Sequence, residues 1–259
     1  MADELDQIKN ALNRHGVFLK KATLEKIPAR ELEIFEEVGS SFGGTRVADI
    51  VAVQHFPDRN LYFVIECKRV ASERRWIFFR HKDVKVRVAR QIGAGQPPSE
   101  FQIDPAGSCS EGFEYPFRSK SDDPTAEQDP VYRAASQLSA AYLGFVQDHW
   151  RNRGSGLPEK GERFVPVLVT TARLSVVQNV FEAAPLSTGR LDEKLVLKDL
   201  DEVILKHPFP TPEGVNDDFR HKTAADPWHH RYTESLYVTR AESLGEFFSE
   251  FRREALAGL

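Results

Sequence analysis

Apolar residues recur along this chain with two spacings, and the spacing separates predicted strands from predicted helices. In TRVADIVAV, residues 45–53, and LYFVIECKR, residues 61–69, apolar side chains run almost unbroken over strand length. VKVRV, residues 84–88, alternates valines with Lys85 and Arg87, giving a strand one apolar and one basic face. FVPVLVTTA, from Phe164, is a near-continuous apolar run, as expected of a central strand covered on both faces. The shorter segments KLVLK, EVILK and SLYVT predict further strands in the last third of the chain.

A helical period governs other segments. Leu5, Ile8 and Leu12 predict a short amphipathic helix over residues 3–15, and Leu24, Ile27, Leu32, Phe35 and Val38 predict a second over 23–38 that Pro28 kinks or divides. Gly43-Gly44 then turns the chain into the strand that carries Asp49. Asp129-Pro130 reads as the N-cap and first residue of a helix running to Trp150, with Leu138, Tyr142 and Phe145 as its apolar ridge and Gln137 beside them. Thr239-x-x-Glu242 has the capping-box pattern and predicts a last helix that buries Leu244, Phe247, Phe248 and Phe251. Residues 96–130, punctuated by prolines at 97, 98, 105, 116, 124 and 130, read as a long loop with room for a short hairpin around FEYPF. The order of elements predicts an α/β protein, a mixed sheet with helices on both faces, in a single domain spanning 1–259.

Composition agrees with that picture and narrows the partners. At 259 residues, 41% hydrophobic and 29% charged, the chain can bury a sizeable core. The absence of an eighteen-residue apolar run and the acidic, helical N-terminus predict a cytoplasmic protein with no membrane partner. Cys67 and Cys109 lie far apart without C-x-x-C spacing, so neither a disulfide framework nor a zinc site is expected, and Cys67 reads as a small core residue. The formal charge of −4 hides an asymmetry: Arg69 to Arg90 holds eight cations against Glu73 and Asp83, a local +6 that leaves −10 for the remainder. Trp76, Phe78 and Phe79 lie among these charges, so the block reads either as a solvated face over core aromatics or as a nucleic-acid footprint.

The candidate chemistry lies in the first two strands. Side chains alternate along a strand, so Glu66 and Lys68 share a face while Cys67 points away. Pairing of residues 45–53 with 61–69 as a hairpin would bring Asp49 to the same edge, giving two carboxylates and one ammonium. Glu-x-Lys arises about once by chance in a chain of this length and is uninformative alone. Its setting is what counts, because Tyr62 to Ile65 are apolar at every position and Asp49 is flanked by apolar residues. A carboxylate there must recover its lost hydration from a partner or a metal, and Lys68 cannot neutralise two. Among the acids of the 23–38 helix, one or two could point back at the sheet. A hydrolase centre built from His207, His221, His229 and His230 is disfavoured, since none has ligand spacing with a carboxylate on a recognisable helix.

The order helix with glutamates, Asp strand, Glu-x-Lys strand, basic segment, helix with glutamine and buried strand resembles the PD-(D/E)XK nuclease superfamily, over about residues 24–172. Ala48-Asp49 stands where the family name has Pro-Asp. FVPVLVTTARLSVV and SLYVTRAESLGEFF look like segments of bacterial members found with defence or restriction systems. The resemblance implies a restriction-endonuclease-like mixed central sheet, with residues 96–130 as an insertion and 173–259 as a C-terminal extension. It implies a nuclease cutting DNA more readily than RNA, with Asp49, Glu66 and the Cys67 carbonyl holding Mg²⁺, or Mn²⁺ in its place. Lys68 would act at the scissile phosphate, Glu33 or alternatively Glu37 would reach the metal from the helix, and Gln137 would orient water or phosphate. Arg69, Arg74, Arg75, Lys85 and Arg87 would neutralise flanking phosphates. A homodimer, or a partner protein supplying targeting or a motor, would complete the system, as no G-x-x-x-x-G-K-[ST] loop is present. The competing class is a nuclease fold retained only for binding, as a subunit of a larger defence or repair complex.

Overall fold

The structure, a computed structural model, describes residues 4–8, 17–40, 46–57, 59–80, 87–89, 100–102, 108–116, 128–152, 162–178, 195–207 and 235–257. In chain order these form α1 (Val17–Lys26), β1 (Glu33–Ser40), β2 (Arg46–Phe56), β3 (Arg59–Lys68), β4 (Arg75–Arg80), β5 (Arg87–Ala89), β6 (Glu100–Gln102), β7 (Ser108–Tyr115), α2 (Pro130–Asn152), β8 (Glu162–Thr170), β9 (Arg173–Val177), β10 (Leu197–Leu200), β11 (Glu202–Lys206), β12 (Ser235–Arg240) and α3 (Leu244–Ala257). Residues 4–8 are helical and exposed.

Ten strands make one mixed sheet in the order β1-β2-β3-β8-β12-β11-β7-β4-β9-β10, and β5 pairs with β6 in a separate ribbon. β1, β2 and β3 form an antiparallel meander, after which β8 joins parallel to β3 and β12 parallel to β8. This is the mixed α/β architecture that the sequence predicts. β8 is the central strand that its apolar run requires, buried from Phe164 to Thr170.

Strand alternation divides the core into two layers. Val51, Val53, Tyr62, Val64, Leu168, Leu236 and Val238 face α2, where Ala134, Ala135, Leu138 and Ala141 allow close approach. Ile50, Ala52, Phe63, Ile65, Val167 and Tyr237 face the other way, against Ile27 below α1 and against Leu244, Phe247 and Phe248 of α3. Trp76, Phe63 and Phe78 are fully buried, each contributing roughly 1.5–3 kcal/mol from apolar area removed from water.

Several expectations are corrected. The predicted helix over 23–38 is instead the end of α1, a turn and the edge strand β1. Pro28 removes a helical donor and disfavours helix at Ile27 before it, and Ile34, Phe35 and Val38 gain a ladder against β2. The 96–130 segment is not wholly loop: β7 lies inside the sheet between β11 and β4, and FEY ends that strand rather than building its own hairpin. Residues 173–259 are not appended to a finished core, since β12 sits between β8 and β11. Thr239 belongs to β12, and the last helix begins at Leu244. Of VKVRV, residues 84–86 lie outside the described residues, and the rest enters the β5-β6 ribbon.

Candidate functional site

The site lies where two strands part. β2 and β3 pair from Phe56 opposite Arg59 to Ile50 opposite Ile65, and the ladder stops there. Asp49 and Glu66 are the next residues in line, one on each side of the fork. Asp49 bridges it, its Oδ2 accepting from the Cys67 backbone N–H at 2.8 Å. β3 continues on its other side in register with β8, Glu66 beside Leu168 and Lys68 beside Thr170. A covered strand therefore holds these charged side chains at its C-terminal end.

Lys68 reaches the α2 face, where its Nζ donates to Gln137 Oε1 at 3.0 Å. Cys67 points to the opposite face, as alternation predicts, and its Sγ donates to Thr23 Oγ1 of α1 at 3.6 Å. Burial pushes the Cys67 thiol up to about 12, so it is no nucleophile near neutral pH. Asp49, Glu66, Cys67, Lys68 and Gln137, predicted from three separated segments, are thus brought to one place.

The electrostatics are those of a site short of positive charge. Burial, and then the charge of Asp49, raise the Glu66 carboxyl to about 8, with Lys68 opposing. Burial also raises Asp49 above the ordinary aspartate range, against the Cys67 N–H and the charges of Lys20 and Lys68. Among the described residues no donor hydrogen-bonds the Glu66 carboxyl.

Other predicted residues lie elsewhere. Glu33 is not on a helix: it opens β1, is exposed, and its Oε2 lies 3.0 Å from His55 Nε2. The alternative acid, Glu37, is likewise on β1 rather than on a helix, opposite Asp49 of β2, and adds to its negative surroundings. Arg74 is not an open phosphate ligand, because it ion-pairs with the buried Glu114, which also accepts from Trp76 Nε1 at 3.2 Å. Trp76 and Phe78 are core residues rather than a stacking surface. Arg69 is exposed directly after Lys68, and the charge of Arg75 bears on Asp199 of β10, across β9. Lys85 lies outside the described residues, and Arg87 is placed in β5 by its backbone alone.

Sequence reasoning missed Lys20 and Thr23, which bring α1 to the fork. The available signal was the basic pair Lys20-Lys21 preceding the acidic pair Glu36-Glu37, which the structure joins by ion pairs.

Among the described residues no group of three or more His, Cys, Asp or Glu side chains is arranged to hold a metal. Two carboxylates with a backbone carbonyl form a hard-oxygen set too sparse for a closed structural site. That set suits Mg²⁺, which keeps several waters and takes one or two carboxylates. No helix among the described residues is long and apolar enough to cross a membrane. Compared with protein-family models, with curated proteins and with solved structures, the chain matches none.

Proposed function

We propose that this protein is a metal-dependent nuclease of restriction-endonuclease-like type, hydrolysing phosphodiester bonds in nucleic acid, DNA in preference to RNA, at Asp49, Glu66 and Lys68. The observation that carries the reading is the fork: Asp49 and Glu66 meet where β2 leaves β3, with Lys68 held by Gln137 on the α2 side. The order behind the resemblance is met only in part: the glutamates fall on the edge strand β1 rather than on a helix, while the Asp49 strand β2, the Glu66–Lys68 strand β3, the Gln137 helix α2 and the buried strand β8 follow one another along the chain.

Asp49 and Glu66, with the Cys67 carbonyl, would hold Mg²⁺ or Mn²⁺, which when bound supplies Lewis-acid polarisation of a phosphoryl oxygen. Lys68 has three N–H donors, one given to Gln137, so the ammonium can meet a phosphate oxygen while the amide fixes its reach. There it stabilises the negative charge that builds on the phosphoryl oxygens as a water oxygen attacks phosphorus and the ester P–O bond breaks. Water supplies the proton that leaves with the alcohol product and the oxygen that stays on phosphate. Arg69, exposed beside Lys68, supplies affinity for neighbouring phosphates that weakens with salt.

Incubation with plasmid, linear and single-stranded DNA and with RNA, in Mg²⁺ or Mn²⁺, tests the reading. Cleavage is expected in the wild type and is lost in Asp49→Ala and Lys68→Ala. Cleavage undiminished in both variants would sink the assignment; metal-stabilised binding without cleavage in any arm would favour the binding-subunit alternative.

A further inference from the structure

Asp49 is also braced from the α1 side, by residues that take no part in the chemistry above. Lys20 and Thr23 are three residues apart and so share one face of α1. They reach different strands. Lys20 Nζ donates to Glu37 Oε1 at 2.9 Å and lies 3.4 Å from Glu36 Oε2, both on β1. Thr23 holds the Cys67 thiol on β3. One turn of α1 therefore touches β3 at the fork and β1, the strand paired with β2 on its other side.

The lysine is sunk against the sheet, its side chain 12% exposed where that of Lys21 is 59% exposed. Its partner is conformationally unusual. Glu37 has φ 53°, a left-handed conformation that few non-glycine residues adopt and that persists only where the surroundings hold it. The β1-β2 ladder skips that step: Glu36 pairs with Ile50 and Val38 with Ala48, while Glu37 and Asp49 face each other unpaired. The kink also exchanges faces. Ile34 and Ile50 pack in the α1–α3 layer, whereas Val38 and Ala48, an even number of residues away, pack in the α2 layer. Regular strands would keep each pair on one side.

We propose that Lys20 is a positioning residue: by gripping Glu37 it holds the left-handed kink of β1, which keeps the Asp49 step out of the ladder and its carboxylate turned onto the Cys67 amide. The positioning stands independently of the nuclease reading, while its consequence for cleavage rests on it.

Amide hydrogen exchange at Cys67, read in the metal-free full chain, tests the positioning without any substrate. In Lys20→Met the Cys67 amide is expected to lose protection by about tenfold while Phe78 and Val203, far along the sheet, keep theirs. Lys20→Arg should retain protection. In Lys20→Met/Glu37→Gly it should return, because glycine adopts φ 53° without a held side chain. If the wild type cuts nucleic acid, Lys20→Met should lower kcat about tenfold with KM changed less than about twofold. Unchanged Cys67 protection in Lys20→Met, or a double variant no better than the single one, would overturn the inference. Absence of cleavage in the wild type would instead remove the nuclease reading and leave the exchange result standing.

Discussion

Among the described residues two carboxylate pairs invite comparison, Asp49 with Glu66 in the sheet and Glu114 of β7 with Asp129 at the start of α2, and their surroundings differ in one respect. Glu114 is buried, yet Arg74 and the Trp76 indole occupy its oxygens and its own N–H is given to Asp129 Oδ2 at 3.0 Å. Asp129 also accepts from Val131 N–H at 2.7 Å, capping α2. The second pair is saturated by protein groups and closes the junction of β4, β7 and α2. At the fork, Asp49 accepts one backbone N–H, Glu66 none among the described residues, and the nearby ammonium of Lys68 is directed to Gln137. Burial of carboxylates is by itself a structural arrangement; the proposed function rests on a partly buried pair that the protein leaves short of donors.

The largest effect expected from this contrast is on rate. Lys68→Met should lower cleavage about 10²–10³-fold in a single-turnover assay, as removal of a preorganised charge beside the reacting group does, whereas Arg74→Lys should leave the rate nearly unchanged. Stability should respond in the opposite sense. Glu114→Ala strands the Trp76 N–H and the partly exposed Arg74, costing about 2–3 kcal/mol in urea denaturation, while Asp49→Ala should raise the Tm of the metal-free protein above neutral pH by removing charge repulsion on Glu66.

The pH dependence sharpens the comparison further. Glu66 titrates near 8 in the folded chain against the ordinary 4.5 unfolded, so its contribution to stability is full below about 4.5 and is lost as pH rises through 8. The Tm of the metal-free protein should fall across that window in a scanning calorimeter, and Glu66→Gln should flatten the fall. Millimolar Mg²⁺ should raise the wild-type Tm more at pH 9 than at pH 6, because a cation at this site displaces a proton at the lower pH. A smaller effect is expected beside the saturated pair. Gly112 lies opposite Phe78, and a Cβ there would stand 2.6 Å from the ring, so Gly112→Ala should cost about 1–3 kcal/mol through overpacking. Cleavage should remain unaffected.

Much of the fork was legible because its parts are local. Asp49 and the Glu66–Lys68 triplet lie in apolar strand-length runs separated by a short turn, and a hairpin is the pairing that neighbouring strands make most readily. Gln137 was legible as a helix residue beside an apolar ridge, which faces the sheet by necessity. Glu33 was misplaced because Leu24, Ile27, Leu32, Phe35 and Val38 fit a 3.6 period while the edge strand needs β2 beside it to compete. β7 was hidden for a similar reason. Its SCSEGFEY has little apolar alternation, and it is a strand because β4 and β11 supply ladders on both sides.

By itself the sequence determined the α/β class, the central strand β8, the Asp129-Pro130 start of α2 and the placing of Asp49 and Glu66 in apolar strand runs, since each rests on local spacing and the cost of burying charge. Tertiary structure alone decided that β12 enters the sheet between β8 and β11, that Arg74 belongs to Glu114, and that Lys20 grips Glu37 beside Asp49. Those outcomes depend on contacts between residues 17 to 70 positions apart, whose energies exist only once the sheet has formed.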